Sequence, residues 1–333
     1  VGQRYCEVRA GAIMSGHWTR QRERGTVFAM KLITWIAFSF GRRVSRALLY
    51  PICLYFMLFG HAGVRSSRQY LCRVFGRPAT WHEVFQHHFV FAAVLLDRAF
   101  MLAGRSQNLD VDVQNRELVY RLADKEQGSL LLGAHLGSFD VTRDIGRRRR
   151  RVVVNMMMYE ENAQKLNAVI ASFGGHSRMK VIPIGTVDSL IRAKDRLDQG
   201  EWVGILGDRV VANDRLIRVP FLGSEAAFPA GPFLVASALK VPVVLFACLY
   251  LGGNQYKEHF ELFADELVLD RRNREADLEK WVRRYAERLE YFCRLAPYNW
   301  FNFYDFWGAA PSLDTKNPGA SSSDLRADLP RNT

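Results

Sequence analysis

From about residue 128 onward, short apolar runs rich in branched side chains alternate with amphipathic helical stretches. No other feature constrains the fold as much. The runs fall at 129–134, 151–156, 180–184, 202–206 and 241–249, with helical segments between them at 161–173 and 187–199. A run without polar alternation is buried on both faces, as strands of a parallel sheet are, and the intervening helices supply the crossovers. The fold class this implies is α/β, a single domain with a largely parallel mixed sheet flanked by helices. Residues 256–263 alternate apolar with polar and are expected at an edge, and 274–294 form a charged amphipathic helix. The 333 residues are 49% hydrophobic, enough for one large domain with a sizeable core.

The region before this body differs in character. Residues 27–40 are apolar apart from Lys31, Thr34 and Ser39; Gly41, Arg42, Arg43 and Arg46 follow, and residues 47–60 form a second apolar run containing Pro51. Each run is shorter than the roughly 20 residues a helix needs to cross a bilayer. With Trp35, Tyr50, Tyr55 and the arginines at headgroup level, the expected arrangement is a pair of N-terminal membrane-associating helices, lying in the interface or spanning it at a tilt. A buried helical pair is the alternative. No small-residue cleavage pattern follows the apolar run, which argues against a cleaved signal peptide. Residues 65–103 read as amphipathic helix, and His82, His87 and His88 as ordinary helix residues. The divisions expected are a basic segment at 1–26, the membrane-associating region at 27–64, the α/β domain at 65–310 and a disordered Ser-, Asp- and Pro-rich tail at 311–333.

Lys and Arg number 46 against 34 Asp and Glu, a formal net charge of +12. Such a surface attracts anionic lipid, an acidic carrier protein or nucleic acid. The arginine block at 147–151 fits a docking patch or a solvated helix end. Nucleic acid is disfavoured because no recognition motif accompanies the block. Five scattered cysteines (Cys6, Cys53, Cys72, Cys248 and Cys293) form no C-x-x-C pair and suggest neither a disulfide framework nor a zinc site. No metal and no cofactor is expected.

The chemistry concentrates at Leu130-Leu131-Leu132-Gly133-Ala134-His135-Leu136-Gly137-Ser138-Phe139-Asp140. A buried strand ending at Ala134 places His135 at the carboxyl edge of the sheet, where open α/β sheets bind ligands. Gly137 permits a tight turn, Ser138 suits an N-cap, and Asp140 falls in the first helical turn. Asp140 is then expected to fold back onto one imidazole nitrogen and leave the other free to accept a proton. Ser138 lacks the Gly-x-Ser-x-Gly elbow of a nucleophile, and Cys248 lies in an apolar strand.

These residues resemble the His-x4-Asp motif of the lysophospholipid acyltransferase superfamily, most closely the bacterial branch holding the late lipid A acyltransferases. Leu206-Gly207-Asp208-Arg209, Val219-Pro220-Phe221-Leu222-Gly223 and Phe228-Pro229-Ala230-Gly231-Pro232 resemble three further blocks of that branch, in order. Trp300-Phe301-Asn302-Phe303-Tyr304 is similar to its aromatic close. The resemblance covers residues 18–307. Gly207-Asp208-Arg209 and Leu222 depart from typical lipid A enzymes and are closer to members found with other envelope lipids, such as those linked to aryl polyene pigments.

The resemblance implies acyl transfer by a dyad, His135 and Asp140. The donor would be an acyl thioester on acyl carrier protein or coenzyme A. The acceptor would be a hydroxyl or amine of a lipid or glycolipid, reached at the cytoplasmic face of the bacterial inner membrane. Substrate-binding positions carried over are Gly137, Ser138, Asp208, Arg209, Pro220, Phe221, Gly223, Pro229 and Gly231. Backbone N–H groups at Gly137 and Ser138 and the Arg209 guanidinium are candidate oxyanion donors; the alternatives for Arg209 are holding a phosphate of donor or acceptor, or an ion pair with Asp208 or Asp214 that fixes the loop. A thioesterase, or a catalytically silent lipid-binding protein on the same scaffold, is the competing reading.

Overall fold

A computed structural model describes residues 27–102, 109–150, 152–159, 181–184, 187–210 and 214–308. The expectations for 1–26, for a helix at 161–173 and for the tail at 311–333 lie outside these residues, as do the side chains of the 147–151 arginines. The described residues begin with three helices, α1 (Val27–Phe59), α2 (His61–Phe75) and α3 (Trp81–Leu102). Strand β1 (Asp110–Gln114), helix α4 (Arg116–Asp124) and strand β2 (Leu130–Gly133) follow, then α5 (Phe139–Arg150), β3 (Val154–Met158) and β4 (Val181–Pro183). Beyond these come α6 (Val187–Asp198), β5 (Trp202–Leu206), β6 (Leu216–Phe221), β7 (Ser224–Pro229) and α7 (Gly231–Leu239). The chain then forms β8 (Val243–Gly252), β9 (Gln255–Ala264) and α8 (Arg274–Leu295).

Among the described residues, seven strands form one sheet in the order β1-β9-β8-β2-β5-β3-β4. From β8 to β4 every neighbouring pair is parallel, and all four residues of β2 are buried, as two-sided burial requires. β9 runs antiparallel to β8 and parallel to β1, which makes the sheet mixed. Two expectations are corrected here. The α/β body begins at β1 rather than near residue 128, and β9 is covered by β1 rather than lying at the edge. The polar alternation of β9 belongs to a half-buried face, where Glu261 pairs with Arg288 and the His259 ring lies 5.3 Å from that of Phe292 on α8, not to an open edge. A separate antiparallel hairpin, β6–β7, carries the Pro220-to-Gly231 blocks. Its two-residue turn, Leu222-Gly223, has positive φ at both positions (51° and 77°), the pattern of a tight hairpin turn.

The stretch read as one helix from 65 to 103 is two. Gly76 closes α2 in the left-handed conformation, and Thr80 opens α3 with a reciprocal capping box. The Thr80 amide donates to Glu83 Oε2 (2.7 Å), and the Glu83 amide donates to Thr80 Oγ1 (3.2 Å).

The N-terminal helices behave differently from the headgroup picture. α1 is interrupted at Gly41, whose φ is 78°. Arg42 reaches inward to buried Asp97 of α3 through Nε (2.8 Å) and a terminal nitrogen (2.6 Å), and Arg46 joins at 3.2 Å. The Tyr256 hydroxyl of β9 donates to the same carboxylate at 2.8 Å. Two of the three arginines thus clamp α1 to α3 and the sheet, and Arg43 is the exposed one. Removing the carboxylate of such a group strands two part-buried cations, so Asp97→Ala should lower unfolding stability by about 3–5 kcal/mol in detergent-based chemical denaturation. A loss below about 1 kcal/mol would show that the clamp contributes little.

Among the described residues no single helix is long and apolar enough to cross a membrane. The part of α1 beyond Gly41 passes together with α2, but the two meet at 97°. That part of α1 leaves Val44, Tyr50, Leu54, Tyr55, Phe56, Leu58 and Phe59 exposed.

Candidate active site

Parallel pairing of β2 with β5 builds the centre of the site. Gly133 stands opposite Leu206, so the residues two beyond each strand, His135 and Asp208, emerge side by side at the carboxyl edge. Asp208 is fully buried, whereas the His135 side chain is 28% exposed. Asp208 Oδ1 lies 2.8 Å from His135 Nδ1. Its Oδ2 accepts from the His135 backbone N–H (3.0 Å), the Trp300 indole N–H (3.0 Å) and the Asn302 amide (2.8 Å). An ionised carboxylate at Oδ1 requires the proton to sit on Nδ1, which leaves Nε2 as the basic nitrogen. Nε2 makes no hydrogen bond among the described residues.

The expected His135–Asp140 contact is therefore replaced by His135–Asp208. Asp140 is drawn away by two cations: Arg98 Nε of α3 lies 2.8 Å from its Oδ2, and Arg143, one helical turn on, lies 3.5 Å from its Oδ1. An i,i+3 arginine and a helix-packed arginine offer a buried carboxylate more charge compensation than a neutral imidazole does.

The electrostatics agree with a neutral base. Burial lowers the His135 pKa below the usual imidazole value, and the nearby Arg209 and Arg98 guanidinium groups lower it further against the opposing pull of Asp208. For Asp208, burial alone would raise the pKa. Its contacts with the ring and backbone N–H of His135, with Arg209 beside it, outweigh burial and hold the carboxyl at about 2.

The backbone donors proposed for an oxyanion are already engaged. The Gly137 N–H donates to the Asn299 carbonyl (2.8 Å), and the Ser138 N–H to the Cys248 carbonyl (2.9 Å). The Ser138 hydroxyl is buried and makes no capping bond among the described residues. Arg209 donates from Nε to Asn302 Oδ1 (2.8 Å) and from a terminal nitrogen to the Phe301 carbonyl (3.0 Å). Burial pushes the Cys248 thiol pKa well up, which suits a core residue rather than a nucleophile.

The structure thus gathers His135, Gly137, Ser138, Asp208 and Arg209. The other carried-over positions shape the hairpin. Pro220 and Pro229 pair with Glu225 and Leu216, Gly223 is the turn, and Gly231 opens α7. Phe221 is fully buried, its ring 5.4 Å from that of Trp300. Phe228, Phe233 and Phe306 are likewise core: Phe228 meets the Phe306 ring edge-on at 5.5 Å, and Phe233 meets that of Tyr285 at 5.6 Å. Sequence reasoning assigned no role to Arg98 and foresaw no contact of Trp300 or Asn302 with Asp208. Arg98 carries no local signal, and the other two lie more than ninety positions from Asp208.

A carboxylate-oriented histidine stands at the carboxyl edge of a mostly parallel sheet, the arrangement a histidine base requires. The chain belongs to the bacterial lipid A biosynthesis acyltransferase family, whose family model matches residues 17–308. It is therefore an acyltransferase of lipid biosynthesis. No individual curated protein matches the chain.

Proposed function

We propose that this protein transfers a fatty acyl group from an acyl thioester, on acyl carrier protein or coenzyme A, to a hydroxyl of a lipid or glycolipid in the bacterial envelope. The observation that carries the mechanism is the His135–Asp208 pair, which leaves Nε2 of a neutral imidazole as the site's base. The acceptor O–H proton passes to Nε2 as its oxygen attacks the thioester carbonyl carbon. The tetrahedral oxyanion collapses, the C–S bond breaks, and the thiolate takes the proton back from the imidazolium. A positioned base of this kind contributes ~10²–10⁴-fold. With the nearby backbone amides engaged, the positive charge that meets the oxyanion comes from Arg98, held in place by Asp140. The carboxylate of the His-x4-Asp motif then serves the reaction by fixing a cation rather than by touching the base.

The exposed apolar face of α1 is assigned to the lipid surface. A contiguous run of exposed Tyr, Phe and Leu on a helix clamped to the catalytic domain fits burial at the headgroup–acyl boundary, on the cytoplasmic face of the inner membrane. Arg43 is placed to meet anionic headgroups.

Transfer and hydrolysis separate by the fate of the acyl chain, because a transferase must favour the bound acceptor over bulk water. Thiol release from an acyl thioester should be slow without acceptor and rise at least about tenfold with extracted envelope lipid, with labelled acyl chain recovered in lipid. Label appearing as free fatty acid at one rate with or without lipid would make the protein a thioesterase.

A further inference from the structure

We infer that Trp300 and Asn302 are positioning residues for the base, and that the segment 299–302 is a separate functional block of the enzyme. The inference rests on the acyl-transfer reading and goes beyond it, because it assigns a job to residues that never meet substrate. Asp208 has two oxygens and one imidazole to orient. Were both oxygens free to rotate, the carboxylate would exchange them and the ring would follow. Three N–H donors converge on Oδ2, two of them the Trp300 indole (3.0 Å) and the Asn302 amide (2.8 Å), so that only Oδ1 faces Nδ1. The same donors draw negative charge toward Oδ2 and away from the imidazole. That weakens the stabilisation of an imidazolium and keeps His135 neutral in the resting site.

The segment is built to hold this position. Its residues bond across the ends of three structures: the Phe301 N–H donates to the His135 carbonyl (2.8 Å), the Asn299 carbonyl accepts from Gly137, and Asn299 exchanges two side-chain bonds with the Tyr250 backbone (2.7 and 3.1 Å). Asn302 is doubly fixed, since its Oδ1 accepts from Arg209. The Trp300 ring is fully buried between Tyr70, Phe221 and Phe306. From behind, His87 Nε2 lies 2.8 Å from the Trp300 carbonyl and His87 Nδ1 lies 2.8 Å from Ser67 Oγ. His87 is fully buried, and that burial lowers its pKa to about 3. The neutral ring then donates to Trp300 from Nε2 and accepts from Ser67. A buried indole N–H needs an acceptor, and here that acceptor is the carboxylate that orients the base.

The test is the pH dependence of kcat/KM for full-length enzyme in detergent with extracted envelope lipid as acceptor. Trp300→Phe keeps an aromatic ring and deletes one donor; Asn302→Leu keeps the side-chain shape and deletes the other without adding a charge beside Asp208. Each leaves more charge facing Nδ1, so the His135 pKa rises and the acid limb moves to higher pH. kcat should fall about tenfold for Trp300→Phe, the magnitude of one hydrogen bond to a charged group, with KM for donor and acceptor little changed. Asn302→Leu should shift the limb in the same direction. A role confined to packing would reduce the folded fraction and leave the limb where it is. Folded variants with the wild-type acid limb overturn the inference. If Trp300→Phe does not fold, Asn302→Leu decides alone. Failure of the acyl-transfer reading is distinguishable, since the wild-type enzyme would then leave no labelled acyl chain in lipid.

Discussion

His135→Ala should reduce acyl transfer by at least about 10³-fold while leaving a folded protein, because the deleted imidazole is partly exposed at a strand end and contributes little core. Asp208→Asn should come close to it, losing on the order of 10³–10⁴-fold, as the equivalent change does where a triad carboxylate is made an amide. The reason is geometric. Three donors surround the Oδ2 position, so the amide must place its carbonyl oxygen there and turn its NH₂ group toward Nδ1. An NH₂ facing Nδ1 demands an acceptor, the ring moves its proton to Nε2, and the base is lost. Asp140→Asn should lose no more than about tenfold, because it loosens Arg98 without changing the imidazole tautomer. Initial rates of thiol release with lipid acceptor rank the three variants. If Asp140→Asn proves as damaging as His135→Ala while Asp208→Asn stays active, the partner of the base has been misassigned.

That ranking also marks where the sequence stops being informative. The strand runs at 129–134 and 202–206 are legible because burial on both faces leaves no polar positions, and the helix at 187–199 is legible from its period. From those elements alone His135 and Asp208 fall at the same sheet edge. Their contact is not legible, because it depends on β2 and β5 being neighbours in register, and strand order is a property of the whole chain. Asp140, five residues from His135, is the nearer choice in sequence; Arg98 on α3 and Arg143 draw it elsewhere. The same holds for Arg42 and Arg46. Beside an apolar run they read as headgroup ligands, until α3 supplies a buried carboxylate for both. Local pattern set the elements, and long-range partners decided what their polar residues do.

Gly137→Ala carries the other large expected effect, and it links backbone geometry to the chemistry. Gly137 has φ +65°, where a side chain is strained, and an added Cβ would sit 1.7 Å from the Cys248 carbonyl oxygen, 2.7 Å from its carbon and 3.3 Å from Leu249 Cα. All three are backbone atoms of β8, so no rotamer change relieves the overlap. The loop after His135 must lift away from β8, breaking the Ser138–Cys248 and Gly137–Asn299 bonds and pulling on the segment that carries Trp300 and Asn302. Activity should fall at least about 10³-fold, with a destabilisation beyond the 4–5 kcal/mol that is already exceptional for one substitution. Gly223→Ala is the control: its φ is +77°, yet nothing lies within 4 Å of the added Cβ. It should lose only the roughly 1–2 kcal/mol of left-handed strain and keep its activity. The difference between the two variants, read by thermal unfolding and initial rates, isolates the close approach to β8. Near-equal effects would mean that backbone conformation, not contact with β8, makes glycine necessary at 137.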